Sequence, residues 1–343
     1  MPATATTILY LSIAAGTIIT MSSHHWLTAW LGLELNTLAI LPIISKTKHP
    51  RATEAATKYF LTQAVASCLL LASGIINAWQ TGSWDILQMT NKYTSTIMLI
   101  AIAMKAGAVP LHFWMPEVMQ GSTLYTAMLI STWQKVAPMT LLYLISNHVQ
   151  PIITLMLGML STTIGGWGGI NQTQLRKMMA YSSITNLGWA LMVLSLEPNM
   201  FAINILVYIL MMVPTFPILA TTSTKTLQNL STSWTTSPLG TTMLMGLLLS
   251  IAGLPPLTGF LPKLLILNEL VTQALTPIAA ITAMTSLLNL MFYLRTTYMT
   301  ALLSSPSSTT ASMKWRYPIT KASSTLLTPT ATFSLPTLPS VSP

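Results

Sequence analysis

Long apolar segments alternate with short polar connections along the whole chain. A membrane-spanning helix needs about 20 apolar residues, and on that length the hydropathy pattern predicts about eleven such segments. Their centres lie near residues 12, 35, 68, 105, 133, 159, 184, 211, 255, 286 and 332. We therefore expect an all-α polytopic membrane protein with about eleven transmembrane helices.

Two of the apolar segments are interrupted in a similar way. AGAVPLHFWMPE (106–117) aligns without gaps with AGLPPLTGFLPK (252–263), and five predicted spans separate the two copies. An odd number of crossings makes the second copy run opposite to the first. Matched breaks in inverted repeats are typical of transporter ion pathways, although proline kinks used only for packing are an alternative. We predict two discontinuous helices, broken at Gly107 and Pro110 and at Gly253, Pro255 and Pro256.

The repeat predicts a division of the chain into three parts. Residues 1–147 form the first five-helix repeat, residues 148–298 form the second, inverted repeat, and residues 299–343 form a loop and a C-terminal helix. The final LLTPTATFSLPTLPSVSP is rich in proline and hydroxyl residues, which predicts a short, tilted or partly unwound helix. The connections are too short for a folded soluble domain, so any chemistry takes place in the bilayer or on a partner.

Basic residues account for the net charge of +9, and their distribution along the chain indicates orientation rather than a nucleic-acid surface. On our assignment, Lys92 is the only basic residue in the odd-numbered connections. The positive-inside rule then places the N-terminus and the even-numbered connections on the cytoplasm-like side. The basic residues in or beside those connections are Lys46, Lys48, Arg51, Lys58, Arg176, Lys177, Lys225, Arg295, Lys314, Arg316 and Lys321.

Four charged residues fall inside predicted spans: Glu34, Lys105, Lys135 and Lys263. Each costs roughly 2.5 to 3.5 kcal/mol at a helix centre, so together they cost on the order of 10 kcal/mol. An ion pair that only locks helices together is the alternative, but apolar residues do that as well, and one glutamate cannot neutralise three lysines. Burial disfavours a charged lysine and a nearby carboxylate favours it, which suits a group that gains and loses a proton.

The surroundings of these charges refine the prediction. Lys135 lies near the middle of its predicted helix, close to Trp133 and Pro138. His112 follows Pro110 by two residues and is a candidate proton relay, with a purely structural histidine as the alternative. Glu117 and Glu269 lie nearer the predicted membrane surfaces, where we expect solvated helix ends.

Other chemistry finds no support in the sequence. GGWGG (165–169) lacks the spacing and the lysine of a phosphate loop, so close helix packing or a helix end explains it better. One cysteine cannot form a disulfide or a cluster site by itself, and no metal-ligand or hydrolase motif occurs. Moving a proton against a membrane potential takes about 2.3 kcal/mol per 100 mV. The driving energy must come from another ion gradient or another subunit.

Four stretches carry a family resemblance: TEAATKYFLTQA (53–64), KAGAVPLHFWMPEV (105–118), NQTQLRKMMAYSSITNLGW (171–189) and GLPPLTGFLPK (253–263). They resemble the antiporter-like membrane subunits of respiratory complex I (NADH:ubiquinone oxidoreductase) of vertebrate mitochondria and their cation/proton antiporter relatives. The resemblance runs from about residue 8 to about residue 300. It implies eleven spans and participation in proton pumping.

The resemblance also implies location, partners and cofactors. The chain would be a multi-pass protein of the mitochondrial inner membrane, with its N-terminus and even-numbered connections on the matrix side. Its partners would be other membrane-arm subunits, including neighbouring antiporter-like subunits, together with phospholipid and no nucleic acid. NADH, FMN, iron–sulfur clusters and ubiquinone would belong to the complex as a whole, with no cofactor or metal in this chain.

Residue by residue, the resemblance assigns roles to the same four charges. The family's buried glutamate falls on Glu34, its broken-helix lysine on Lys105, its central-helix lysine on Lys135 and its second broken-helix lysine on Lys263. In the family picture the Glu34–Lys105 pair tightens or loosens and passes protons laterally through Lys135 to Lys263. The sequence departs from the family at Asn186, where relatives often have histidine.

Two other functions remain open from the sequence. A free-standing cation/proton antiporter of the same fold would exchange ions without a redox partner. A scaffold subunit would occupy its place in a complex while other subunits pump.

Overall fold

Helices make up almost all of the part of the chain that the structure, a computed structural model, describes. The described residues are 3–89, 91–222, 224–235, 238–302 and 328. Within them there are α-helices and short 3-10 turns but no β-strand. The predicted all-α class is confirmed, whereas the predicted helix near residue 332 and Lys314, Arg316 and Lys321 lie outside the described residues.

The helices follow one another through short connections. In chain order they are α1 (Ala3–Met21), α2 (Trp26–Ile44), α3 (Pro50–Thr81), α4 (Lys92–Ala106), α5 (Trp114–Gly121), α6 (Leu124–Ser131), α7 (Trp133–Ile145), α8 (Pro151–Ile170), α9 (Leu175–Val193), α10 (Pro198–Thr221), α11 (Leu227–Ser231), α12 (Pro238–Ala252), α13 (Phe260–Thr272) and α14 (Thr276–Ala301).

Six of the described helices are long and apolar enough to cross a membrane: α1, α2, α3, α8, α10 and α14. The predicted count of about eleven spans is not confirmed. The segments centred near residues 105, 133 and 255 are each divided between shorter helices, because the backbone breaks within them. Apolar length therefore located the helical segments without showing which of them are continuous.

The chain divides into two units by the proximity of its Cα atoms. The first unit contains residues 1–161 and 190–201, and the second contains residues 162–189 and residues from 202 onward. The first unit holds α1 to α7 and the second holds α11 to α14. The repeat boundaries given above describe the sequence and stay a prediction.

Glycines allow close packing between helices of the second unit. A Cβ on Gly165 would lie 2.6 Å from Cγ2 of Thr185 in α9, and one on Gly169 would lie 2.8 Å from the ring of Phe292 in α14. Trp167, between them, is 70% exposed. The GGWGG stretch thus presents glycine to two neighbouring helices, as the predicted packing role requires, and small residues of this kind let helix backbones approach in membranes.

We expect Gly165→Ala to destabilise the second unit by about 1 to 3 kcal/mol, because the new methyl group would also lie 3.0 Å from the backbone nitrogen of Thr185, which cannot swing aside. Gly74→Ala in α3 is the matched control, since its Cβ would meet its nearest neighbour at 3.6 Å, an ordinary contact. Thermal unfolding of the detergent-solubilised protein measures both. Equal unfolding temperatures for the two variants would contradict the packing argument.

Candidate functional site

Lys105 and Glu34 form a buried ion pair in the first unit. Lys105 lies in the last turn of α4, and its Nζ is 3.6 Å from Oε1 of Glu34 on α2. The lysine side chain is 1% exposed and the glutamate side chain is 23% exposed. The end of α4 adds to the attraction, because the last carbonyl groups of a helix carry partial negative charge.

The pair is short of hydrogen bonds. A separation of 3.6 Å exceeds hydrogen-bond range, and within the described residues neither Nζ of Lys105 nor Oε1 of Glu34 has a hydrogen-bond partner. The Thr37 hydroxyl donates to the other carboxylate oxygen, Oε2, at 3.1 Å. Buried charges with unmet hydrogen-bonding capacity are poor structural locks, so the pair calls for a functional explanation.

A glycine breaks the backbone directly after Lys105. Gly107 has φ +88°, in the left-handed region that favours glycine, and α4 ends there. Side chains then satisfy carbonyl groups at the end of the helix: Trp114 Nε1 donates to the carbonyl of Met104 at 3.3 Å, and Gln63 Nε2 donates to the carbonyl of Lys105 at 3.3 Å. The predicted first discontinuous helix is present, and two polar side chains satisfy carbonyl groups at its buried end.

His112 lies in the interrupted segment between α4 and α5, where its hydrogen bond and its ring contact both stay within the same loop. Its Nδ1 is 3.3 Å from the carbonyl oxygen of Pro110, and its ring packs against Phe113. The side chain is buried, at 3% exposure. This geometry fits a structural histidine at least as well as the predicted relay.

Lys135 occupies a different position from the one that the sequence predicted. The helix is interrupted at Thr132, so Lys135 lies in the first turn of α7 rather than in the middle of a continuous helix. Pro138, one turn further on, has no N–H to donate to the carbonyl of Gln134, which weakens the helix here. Lys135 itself is buried, at 5% exposure.

A small cavity connects the surroundings of Lys105 and Lys135. Its polar lining comes from Asn36, Thr37, Tyr59, Gln63, Lys105, Gln134 and Lys135. Glu34 borders the group through its contacts with Lys105 and Thr37. The structure therefore brings three of the four predicted charges into one neighbourhood, while His112 and Lys263 do not line the cavity.

The uncharged members of this group were not predicted from the sequence. Asn36, Gln63 and Gln134 are amide side chains within apolar segments, and their polarity there was the available signal. Burying an amide costs less free energy than burying a charge, so these residues stand out less from the apolar segments around them.

Lys263 forms its own site in the second unit. It lies in the first turn of α13, and its Nζ donates to the carbonyl oxygen of Ala252, the last residue of α12, at 2.7 Å. Gly253, with φ +85°, ends α12 as Gly107 ends α4, and Pro255 and Pro256 follow it in the interrupted segment. The second predicted discontinuous helix is thus also present, and its lysine satisfies the end of the half-helix.

Asn186 is held by backbone contacts in the second unit. Its side-chain Nδ2 donates to the backbone carbonyl of Ser182 at 3.1 Å, and its backbone carbonyl accepts from Nδ2 of Asn204 at 3.3 Å. A side-chain amide does not exchange its protons at neutral pH in the way that an imidazole does. This position therefore contributes to helix packing.

Comparisons with known proteins agree over most of the chain. A family model described as NADH:quinone oxidoreductase/Mrp antiporter, TM, matches residues 23–289. NADH-ubiquinone oxidoreductase chain 2 of Varanus timorensis is 53% identical over 309 residues, which cover 90% of this chain and 90% of that protein. The protein of the same name from Xenopus laevis is 50% identical over 306 residues, covering 89% of each.

Solved structures share the fold. A chain of respiratory complex I from Thermus thermophilus with bound aureothin superposes with a TM-score of 0.84 at 24% identity, covering 98% of this chain and 79% of that chain. A chain of the Mrp complex from Dietzia sp. DQ12-45-1b gives a TM-score of 0.77 at 18% identity, covering 87% and 61% respectively. At these identities the likeness concerns the fold.

We expect Gly253→Ala to cost more stability than Gly82→Ala, although both replace a glycine at positive φ. A Cβ on Gly253 would lie 2.8 Å from Nζ of Lys263 and would displace the lysine from Ala252, whereas nothing lies within 4 Å of one on Gly82. Backbone strain of about 1 to 2 kcal/mol is common to both variants, so the difference isolates the lysine contact. Thermal unfolding measures it, and an equal loss in both would contradict the contact's importance.

Proposed function

The chain belongs to the NADH:quinone oxidoreductase/Mrp antiporter membrane family, and we propose that it moves protons through Glu34, Lys105, Lys135 and Lys263. It is an antiporter-like membrane subunit of respiratory complex I and takes part in proton translocation by NADH:ubiquinone oxidoreductase. The observation that carries the proposed route is the cavity that reaches Lys105 and Lys135, next to an ion pair whose two charged groups are not joined by a hydrogen bond.

The Glu34–Lys105 pair suits a proton switch. A carboxylate near Lys105 favours the ammonium form. When the carboxylate moves away, burial disfavours the ammonium, and the lysine gives up its proton more readily. The 3.6 Å separation leaves the pair free of a direct hydrogen bond that would hold it closed. A change of charge near Glu34 then alters how firmly Lys105 holds its proton, and the proton moves toward Lys135.

The second half of the route rests on Lys263. We propose residues 1–147 and 148–298 as inverted repeats, a proposal supported by the matched glycines Gly107 and Gly253, whose φ angles are +88° and +85°. Lys263 takes the corresponding role in the second repeat, where a free helix carbonyl in place of a carboxylate stabilises its ammonium.

We propose that this chain binds none of the cofactors of the complex. An iron–sulfur cluster takes about four cysteine ligands, and the whole sequence has one cysteine. Within the described residues, no group of three or more histidine, cysteine, aspartate or glutamate side chains could hold a metal ion. We propose that NADH, FMN, the iron–sulfur clusters and ubiquinone are bound by other subunits, and that redox energy reaches this chain through contacts with them.

Other subunits of the membrane arm are partners of this chain. We propose that neighbouring antiporter-like subunits are among them, and that phospholipid covers the remaining apolar faces, which include the exposed side chains of Trp79 and Trp167. We propose the mitochondrial inner membrane as the location of this chain, as the family resemblance implies. We also propose that the N-terminus and the even-numbered connections lie on the matrix side, which the positions of the basic residues favour.

We expect Lys135→Met to lower the proton-to-electron ratio of the assembled complex, because methionine keeps the bulk of the side chain but cannot carry a proton. Lys105→Met and Lys263→Met should act in the same direction. Loss of a positioned proton carrier costs about 100-fold or more in the rate of the step it serves. Proton uptake by sealed membrane vesicles, measured per NADH oxidised, gives the ratio.

Lys92→Met is the control for these variants, since Lys92 is an exposed residue at the start of α4. Only variants with normal amounts of assembled complex enter the comparison. An unchanged ratio in all three buried-lysine variants would support the scaffold function instead.

Native gel electrophoresis of gently solubilised membranes tests the free-standing antiporter alternative. We expect this polypeptide to migrate with a very large particle that stains for NADH oxidation. Migration alone, near its own 37.3 kDa plus detergent, would contradict membership of a redox-driven pump.

A further inference from the structure

We propose that Asn36 and Gln134 hold an ordered water molecule in the cavity between Lys105 and Lys135, and that this water carries the proton from one lysine to the other. The inference rests on the proposed function and adds two positioning residues to it. Neither amide exchanges the transferred proton itself.

The first observation is the unmet hydrogen-bonding capacity of Asn36. Its side chain is 2% exposed, yet within the described residues neither Nδ2 nor Oδ1 has a hydrogen-bond partner. Nε2 of Gln134 is in the same condition. Buried amides without partners are rare, and an ordered water is the usual way in which such groups are satisfied.

The second observation is the shape and lining of the cavity. Both amides line it together with the two lysines, and Leu33, Ile130 and Pro138 close it with apolar surface. Its size suits about one water molecule, and a buried water needs about two to four polar partners. A dry cavity requires apolar walls all round, and these walls are polar where the lysines and amides meet.

The third observation is the tight support behind Asn36. Gly16 of α1 faces it so closely that a Cβ there would lie 2.5 Å from Oδ1 of Asn36. The missing side chain at Gly16 makes the space that the amide occupies. Asn36 is therefore held in place from outside the cavity, as a group that orients a water molecule must be.

The transfer balances with one water molecule. An N–H bond of the Lys105 ammonium breaks and its proton joins the water oxygen, while an O–H bond of the same water breaks and its proton joins neutral Lys135. The water is regenerated, Lys105 becomes neutral and Lys135 becomes an ammonium. The two lysines are charged in turn, which avoids two like charges around one small cavity.

The test replaces Asn36 in the assembled complex. Asn36→Leu keeps the branched shape and the number of heavy atoms but cannot hold water, and Asn36→Ser keeps a donor and an acceptor and leaves room for water. The rate of proton uptake and the proton uptake per NADH oxidised are both measured in sealed vesicles, in H2O and in D2O. Asn289→Leu is the matched control, because Asn289 is 1% exposed and its amide atoms also lack partners within the described residues, but it lies on α14 and does not line the cavity.

We expect Asn36→Leu to slow proton uptake about tenfold, the factor that corresponds to about 1.4 kcal/mol. The solvent isotope effect should rise, because proton transfer then limits the rate, and Asn36→Ser should recover most of the loss. Gln134→Leu should act in the same direction as Asn36→Leu. If Asn36→Leu does not assemble, Gln134→Leu decides the question by the same two measurements.

Lys135→Met in the same membranes separates failure of this inference from failure of the proposed function. Loss of pumping in Lys135→Met together with normal pumping and an unchanged isotope effect in the assembled amide variants would overturn the water site and leave the lysine route intact. Normal pumping in Lys135→Met would overturn both. An equal loss in Asn289→Leu and Asn36→Leu would overturn the water site, because general destabilisation would then explain the effect.

Discussion

A lysine ammonium inside an apolar helix needs negative charge close by, and the broken helices of this protein supply it. Lys105 ends α4, where the helix terminus and Glu34 both favour the charged form. Lys263 reaches back across the second break to the carbonyl oxygen of Ala252. The glycines at positive φ that end the two half-helices are therefore part of the same electrostatic arrangement as the lysines.

The sequence predicted those parts of this arrangement in which burying a residue costs much free energy. Charges in apolar segments are expensive, so Glu34, Lys105, Lys135 and Lys263 stood out, and the Gly/Pro pattern located both breaks. The contact between Glu34 and Lys105 is also expected from their residue types, because a carboxylate stabilises a buried ammonium. Only the three-dimensional structure shows how deeply the pair is buried and how far apart its charged atoms lie. It also identifies Thr37 and Trp114 as hydrogen-bond donors.

The sequence was less informative about features that carry little free-energy cost or that depend on several residues together. The interruption at Thr132 has no glycine, and Pro138 lies six residues beyond it, so a continuous helix around Lys135 was the natural expectation. The number of spans was also beyond reach, since apolar content does not distinguish one long helix from two half-helices joined by a turn. Asn36 and Gln134 come together only after folding, from helices that are far apart in the sequence.

The two breaks use the same backbone geometry for different charge arrangements. In the first, the lysine precedes the glycine, and the position that matches Lys263 holds Glu117, a residue that is half exposed and paired with Lys58 of α3. In the second, the lysine follows the glycine, and Ile251 occupies the position that matches Lys105. The carboxylate at the first break is thus engaged near the surface, and Glu34 on α2 serves the buried lysine instead. The proposed inverted repeat would place its two lysines on opposite sides of the break. This arrangement suits directional transfer, because the two ends of the proposed route would hold a proton against different partners, a side-chain carboxylate at Lys105 and a backbone carbonyl at Lys263.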